Sequence, residues 1–297
     1  MLKTTSSALV CLFFYGILII PFTTYLRNKP YVEKLGYVPS SVTVLKSIAV
    51  DQKELVAASL VLKVLMYFGD LVEKANNKVI IPPDYMTMSR LLHCAVKLDP
   101  YNMDAYYFAQ SFLTWDAKQF KLANDLLEYG MKYRTWDWYL PFFAGFNSAY
   151  FMRDYSKAAE YFKQAGDLSG QDLLKSLAGR YMQESGQTDL AIGYLSIIEK
   201  GANNQALKKN YLLRLTAFRE ARRIEVARDS YLETRGTMPS TVEQLVSEGF
   251  LSPLPRDPYG GQFYLEANGK VSTTSKYAFA GVKNNSMQRA GESDERH

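Results

Sequence analysis

Histidine and cysteine are nearly absent from this chain of 297 residues. Its two histidines, His93 and the terminal His297, cannot build a His-rich metal site. Of the two cysteines, Cys11 lies in an apolar run and Cys94 in a helical pattern. A disulfide framework is therefore not expected, and the cysteine count does not fix the compartment. The P-loop, G-x-G-x-x-G, H-E-x-x-H and G-x-S-x-G patterns are missing as well. Carboxylates such as Asp257 and Glu266 stand without a supporting acid–base or metal constellation. His93 adjoins Cys94, but sequence neighbours on a helix point in different directions, which favours a structural role. The reading is of a protein that is not an enzyme and calls for no cofactor or metal. An excess of one charge is also lacking. The net charge of +5 is spread over 35 basic and 30 acidic residues, so nucleic acid is not an expected partner.

What is present is apolar and aromatic. Hydrophobic residues make up 47%, enough for a sizeable core. The first long apolar run is Ala8 to Leu26, uncharged and about the length that crosses a hydrocarbon core as a helix. Pro21, Thr23 and Thr24 weaken its end. A cleaved signal peptide is the competing reading, but no A-x-A-like site follows Ile20. Residues 1–28 are thus expected to anchor the chain in a membrane. Lys3 precedes the run and Arg27, Lys29 and Lys34 follow it, a count that places the body in the cytoplasm. A short charged start before an apolar run is also how export signals begin. On that ground the expectation is a single-pass protein of the bacterial inner membrane with its body in the periplasm, against the charge count.

Residues 29–50, with Pro30, Pro39 and Ser40-Ser41, look like a connector. A helical pattern follows from Asp51 to about Lys74, carried by Leu55, Ala58, Leu62, Val64, Leu65 and Phe68. The break lies at Ala75 to Lys78 and Pro82-Pro83. A second helix runs from Asp84, its cap, to Leu98, where Asp99-Pro100 ends it.

Three later segments share one register. In the first, Ala123 is followed by Leu127 and Gly130; in the second, Ala158 by Phe162 and Ala165; in the third, Ala191 by Leu195 and Ile198. The small residue steps from Ala123 to Ala158 to Ala191, near the roughly 34-residue period of helical-hairpin repeats. Leu92, Ala95 and Pro100 fit the end of an earlier unit. Small residues let two helices approach, and the residue four later fills the adjoining groove. On these positions, residues 52–200 resemble the tetratricopeptide repeat family, whose A-x3-F-x2-A skeleton closes each hairpin. Ala144-Gly145 and Ala178-Gly179 resemble the small residues of the first helices, whereas the tryptophan position is not kept. The resemblance implies an α–α superhelix at 51–203 that binds a protein or peptide. An irregular helical bundle is the alternative.

The densest aromatic cluster comprises Trp136, Trp138, Tyr139, Phe142, Phe143, Phe146, Tyr150 and Phe151. Trp136, Trp138, Phe142 and Phe146 are the candidate partner-binding residues, since aromatic anchors carry interface energy. The competing role is to fill the core between repeats. Residues 204–282 form the next expected unit. A long helix from Asn204 to Arg235 interleaves Lys208, Lys209, Arg214, Arg219, Arg222, Arg223 and Arg228 with an apolar stripe. Contact with an acidic partner or lipid headgroups competes with a solvated face paired to Glu220, Glu225 and Asp229, and the interspersed acids favour the latter. Gly236 ends the helix, Ser240 or Thr241 caps a short one, and Asn268-Gly269 marks a hairpin.

Residues 227–280 also resemble the carboxy-terminal module of the major pseudopilins of type II secretion, through Tyr231, Gly236, Pro239, Asp257, Pro258, Tyr259 and Gly260. Tyr259 replaces that family's tryptophan, its calcium loop is not evident, and here repeats intervene between module and amino terminus. Asp257 is expected to cap the Pro258-Tyr259-Gly260 turn. The expected fold is thus mainly α: a transmembrane helix, tetratricopeptide-like repeats and a small α+β module. Residues 283–297 are polar and expected to be disordered. The expected function is that of a membrane-anchored interaction scaffold in the cell envelope; a component of a type II secretion or type IV pilus-like apparatus is the alternative.

Overall fold

Alternating small and large buried residues on successive helices organise the computed structural model, which describes residues 13–25, 33–36, 38–39, 41–202 and 204–275. The chain divides into two compact units, Met1–Ala109 and Gln110–His297, with the division inside α5 (Met103–Trp115).

In the first unit, α1 is Phe13–Tyr25. The rest of the expected span, from Ala8 to Leu12 together with Leu26, lies outside the described residues, as do Cys11, Lys3, Arg27 and Lys29. Helix α2 (Val42–Ala49) occupies part of the stretch read as a connector. Ser41 starts it by accepting a hydrogen bond from the Val44 amide at 3.4 Å. A 3₁₀ turn, Val50–Gln52, follows, with Val50 at φ 43°. Helix α3 (Lys53–Asn76) buries Ala57, Val61, Val64 and Leu71, one face of a 3.6-residue period. That face meets α4 (Tyr85–Leu98), which buries Met88, Leu91, Leu92, Ala95 and Leu98. Asp84 caps α4 by accepting from the Thr87 amide at 3.2 Å. The segment around Glu33 is strapped to α3: Tyr67 donates to the Glu33 carbonyl at 2.5 Å, and Lys74 pairs with the Glu33 carboxylate at 2.7 Å.

The second unit continues with α6 (Phe120–Met131), α7 (Tyr139–Phe146), α8 (Tyr155–Ser169), α9 (Asp172–Glu184), α10 (Thr188–Gly201) and α11 (Gln205–Arg235). From α6 onward each helix packs on the next, an architecture of stacked helical hairpins. Ala123, Leu127, Ala158, Phe162, Ala165, Ala191 and Leu195 are all buried. The first helices supply the hollows. A β-carbon on Gly145 would lie 3.3 Å from the Phe162 ring, and one on Gly179 only 2.7 Å from Leu195. Asp154 caps α8 through the Lys157 amide at 3.1 Å.

Between α7 and α8 the helix widens to a π-turn, Asn147–Met152, and stops at Arg153 in the left-handed region (φ 55°). Widening leaves carbonyls without their usual partner. A buried polar cluster serves it: the Asn124 amide donates to the Ala144 carbonyl at 3.2 Å and to the Ser148 hydroxyl at 3.1 Å, and Asn147 donates to Asn124 Oδ1 at 3.0 Å.

Helix α11 begins at Asn204, which accepts from the Ala206 amide at 2.8 Å, and ends at Gly236 with φ 69°. Thr241, rather than Ser240, caps α12 (Val242–Ser247). Strands β1 (Phe263–Leu265) and β2 (Val271–Thr273) pair antiparallel, with Phe263 opposite Thr273 and the turn at Asn268-Gly269. Asp257 accepts from the Tyr259 amide at 2.8 Å, and from the Thr273 hydroxyl. A single hydrophobic cluster runs from Ala149 through α8–α11 to Val271, so the small module shares its core with the repeats. Lys270, beside the turn, pairs with buried Glu184 of α9 at 2.9 Å. Residues 283–297 lie outside the described residues.

Candidate functional site

Helix α7 and its π-extension place aromatics at spacings of four, three and four: Tyr139, Phe143, Phe146 and Tyr150. That spacing puts them on one side of a helix. Tyr139 is 41% and Tyr150 68% exposed, while Phe143 and Phe146 are half-buried. The rings run on from one another: Tyr139 lies 6.3 Å from Phe143, and Phe146 stacks on Tyr150 at 5.5 Å. Trp115 extends the band. It is 57% exposed and contacts Phe146 at 6.1 Å and Phe151 at 5.3 Å. Rigid aromatic surface of this kind binds side chains at small entropic cost.

The four residues singled out from the sequence separate. Phe142 turns inward to Phe162, at 6.3 Å, and Phe162 stacks on Tyr181 at 5.4 Å. Trp138 and Phe146 also pack against the core, Trp138 stacking on Tyr139 at 3.8 Å. Trp136 is exposed and precedes α7, with the Arg134 guanidinium 5.6 Å above its ring. Arg134 is held in turn by buried Asp137 at 2.9 Å. Trp115 was not picked out from the sequence, because it lies 24 residues before Tyr139 on another helix. The spacing of Tyr139, Phe143, Phe146 and Tyr150 is the signal that was available.

Three phenols on the neighbouring helices are harder to ionise than usual. Burial pushes the Tyr181 phenol up. Burial, and then the hydrogen bond that Tyr161 gives Glu128, raises that phenol as well. Tyr129 is pushed up to about 12, by burial first and Tyr133 second.

The basic face of α11 is largely paired. Arg222 bonds Asp189 at 2.8 Å and Glu225 at 3.4 Å, Arg223 bonds Glu220 at 2.6 Å, and Arg228 bonds Asp229 at 2.7 Å. Arg223 also donates to the Ser252 and Pro253 carbonyls, fastening the segment after α12. Burial raises the Glu225 carboxyl, against the hydrogen bond from Thr188 and the charge of Arg222. A cavity of about 540 Å³ lies here between Ile192, Val226 and Phe250, rimmed by Arg219 and Arg222. Among the described residues, no group of three His, Cys, Asp or Glu side chains is placed to hold a metal ion.

The expected span is described only from Phe13 to Tyr25. Among the described residues, Val42–Asn76 is long and apolar enough to cross a membrane, with a mean hydropathy of 1.9, whereas Phe13–Tyr25 is a shorter apolar helix.

No protein-family model matches the chain, and no curated protein matches it. Among solved structures the chain is similar to YrrB, described as a TPR protein with an unusual peptide-binding site. The identity is 15% and the TM-score 0.36, over 70% of this chain and 94% of that one.

Proposed function

We propose that this chain is a membrane-anchored, non-catalytic scaffold whose repeats bind a protein or peptide through the aromatic band of α7. The observation that carries the reading is the exposure of Tyr139 and Tyr150 on the same helical side as Phe143 and Phe146, on the first helix of a packed hairpin. Trp136, Trp138, Phe142 and Phe146 take unequal parts. Trp136 offers surface, Phe146 belongs to the band, and Trp138 and Phe142 support it from beneath. The first 28 residues hold the scaffold in the bacterial inner membrane, with the body in the periplasm.

The test places a photoreactive benzoylphenylalanine at Tyr150 in the full chain in its cells. A defined protein adduct at 150, lost when Tyr139 is changed to Ala and absent from exposed Lys121, supports the reading. Equal labelling at 150 and 121 defeats it. Carbonate washing tests the anchor: release of the full-length chain from membranes rules it out.

A second reading draws on the tail. Gly236 in the left-handed region and the Asp257 turn are the features expected of a pseudopilin-like module. A part in a secretion or pilus-like apparatus would show as co-purification with its filament subunits.

A further inference from the structure

The side of α3 turned away from α4 is apolar and uncovered. Leu55, Ala58, Leu62, Leu65, Gly69 and Val72 follow one another at spacings of three and four, so they form one arc along the helix. All are exposed, Leu55 at 67% and Leu62 at 56%. A β-carbon on Gly69 would meet nothing within 4 Å. Between Glu54 and Asp70 a single charge, Lys63, occurs, and it is half-buried outside the arc. Helix α2 adds Val44 and Ile48, 57% and 73% exposed, and the turn after α3 adds Ile80 at 86%. A soluble surface rarely leaves so continuous an apolar strip bare.

Three observations favour lipid as its cover. A helix pair in water flanks its seam with charges, whereas Ser59 and Met66 beside the middle of this arc are uncharged, and Glu54 and Glu73 flank its two ends alone. The opposite face of α3 is occupied by α4, whose Arg90 and Lys97 are exposed, so α3 cannot cross the bilayer and can offer it one side only. The exposed apolar helix α1 precedes α2 by residues 26–41 alone, at most about 55 Å of extended chain. We propose that the outer arc of α3, with the outer side of α2, lies flat in the lipid–water interface of the membrane that holds the amino-terminal segment. An interfacial helix sinks its apolar face about 5–10 Å into the headgroup boundary. The first unit is then fastened to the membrane surface along α3 and not merely tethered to it. This inference rests on the anchor reading.

The test uses the full chain reconstituted in vesicles of phosphatidylcholine and phosphatidylglycerol with radiolabelled acyl chains. Benzoylphenylalanine replaces Leu62 in one sample, Leu18 in a second and Arg90 in a third. After irradiation, lipid adducts at 18 and 62 with none at 90 are expected. Adducts at 18 alone overturn the interfacial placement and leave the anchor standing. Adducts at 62 alone uphold lipid contact at α3 and defeat the anchor. Adducts at neither position, or a crosslinked pair of chains at 62, overturn the proposal, the latter assigning the arc to a second copy.

Discussion

Leu195 fills the hollow that Gly179 leaves on the neighbouring helix: a β-carbon at position 179 would lie 2.7 Å from Leu195 Cδ2 and 2.8 Å from its Cγ. Neither α9 nor α10 can yield without disturbing Ala178 and Ala191, both fully buried. Gly179→Ala should therefore lower stability by about 1–3 kcal/mol through overpacking. Gly145→Ala should cost less, since the Phe162 ring is 3.3 Å away and can give. Urea unfolding of a chain beginning at residue 29 reads both. In a double-mutant cycle Leu195→Ala should recover part of the Gly179→Ala loss. Strict additivity would mean the two side chains do not meet.

The polar cluster under the π-turn should be costly to break. Asn124 is 4% exposed and Asn147 fully buried, each depending on the other. Asn124→Ala leaves the Asn147 amide and the Ala144 carbonyl without this partner, a loss of about 1–3 kcal/mol. Thermal melting of the variant should show the drop. A shift within error would mean the π-turn relaxes to an ordinary helix once Asn124 is gone.

Tyr150→Ser and Phe162→Ser should behave in opposite ways. Tyr150 is 68% exposed and Phe162 3%. The first change should leave stability within about 0.5 kcal/mol while weakening the partner adduct described above. The second should cost several kilocalories through an unfilled core. Circular dichroism melts of the two variants give the comparison, and a large loss at Tyr150 would place that ring in the core.

Glu225 supplies a pH signature. Burial raises its folded pKa above the ordinary 4.5, so the folded chain holds the proton where the unfolded one has released it. Its contribution to stability therefore falls as pH rises from about 4.5 through the folded value. Glu225→Gln can still accept from Thr188 and removes this titration. The stability of the variant relative to the parent should rise between about pH 4 and pH 8 in urea titrations. A pH-independent difference would mean that Arg222 offsets the burial in full.

The repeat helices were legible because their information is local. Ala123, Ala158 and Ala191 recur at the period of a helical hairpin, Asp84 caps the helix that follows it, and Asn268-Gly269 announces its turn. What was not legible depends on distant partners. Helix α2 hides in a Pro- and Ser-bearing stretch, and its β-branched Val42, Thr43 and Val44 argue against a helix. The π-turn sits inside an unbroken aromatic pattern, and Asn124, which stabilises it, lies on the preceding helix. In α3 the helical pattern was carried by Leu55, Ala58, Leu62, Val64, Leu65 and Phe68; of these Val64 packs, beside Ala57 and Val61, while Leu55, Leu62 and Leu65 are exposed. A helix apolar on two sides gives no periodic signal to say which one the fold will cover. Within the aromatic cluster the sequence names every ring of α7, but only the packing of Phe142 on Phe162 separates floor from surface.

The ion pair from Lys270 to Glu184 joins the last hairpin to α9, with three helices between them in the chain. Repeat arrays lengthen by duplication, each copy stacking on the bare end of its predecessor. Here that end is taken. Helix α11 packs on α10, and the hairpin reaches past both to grip α9. A copy inserted after α10 would part Lys270 from its carboxylate and strand the small module without its floor. An inserted unit would leave this ion pair intact only upstream of α9, so the small module sets the side on which the array could lengthen.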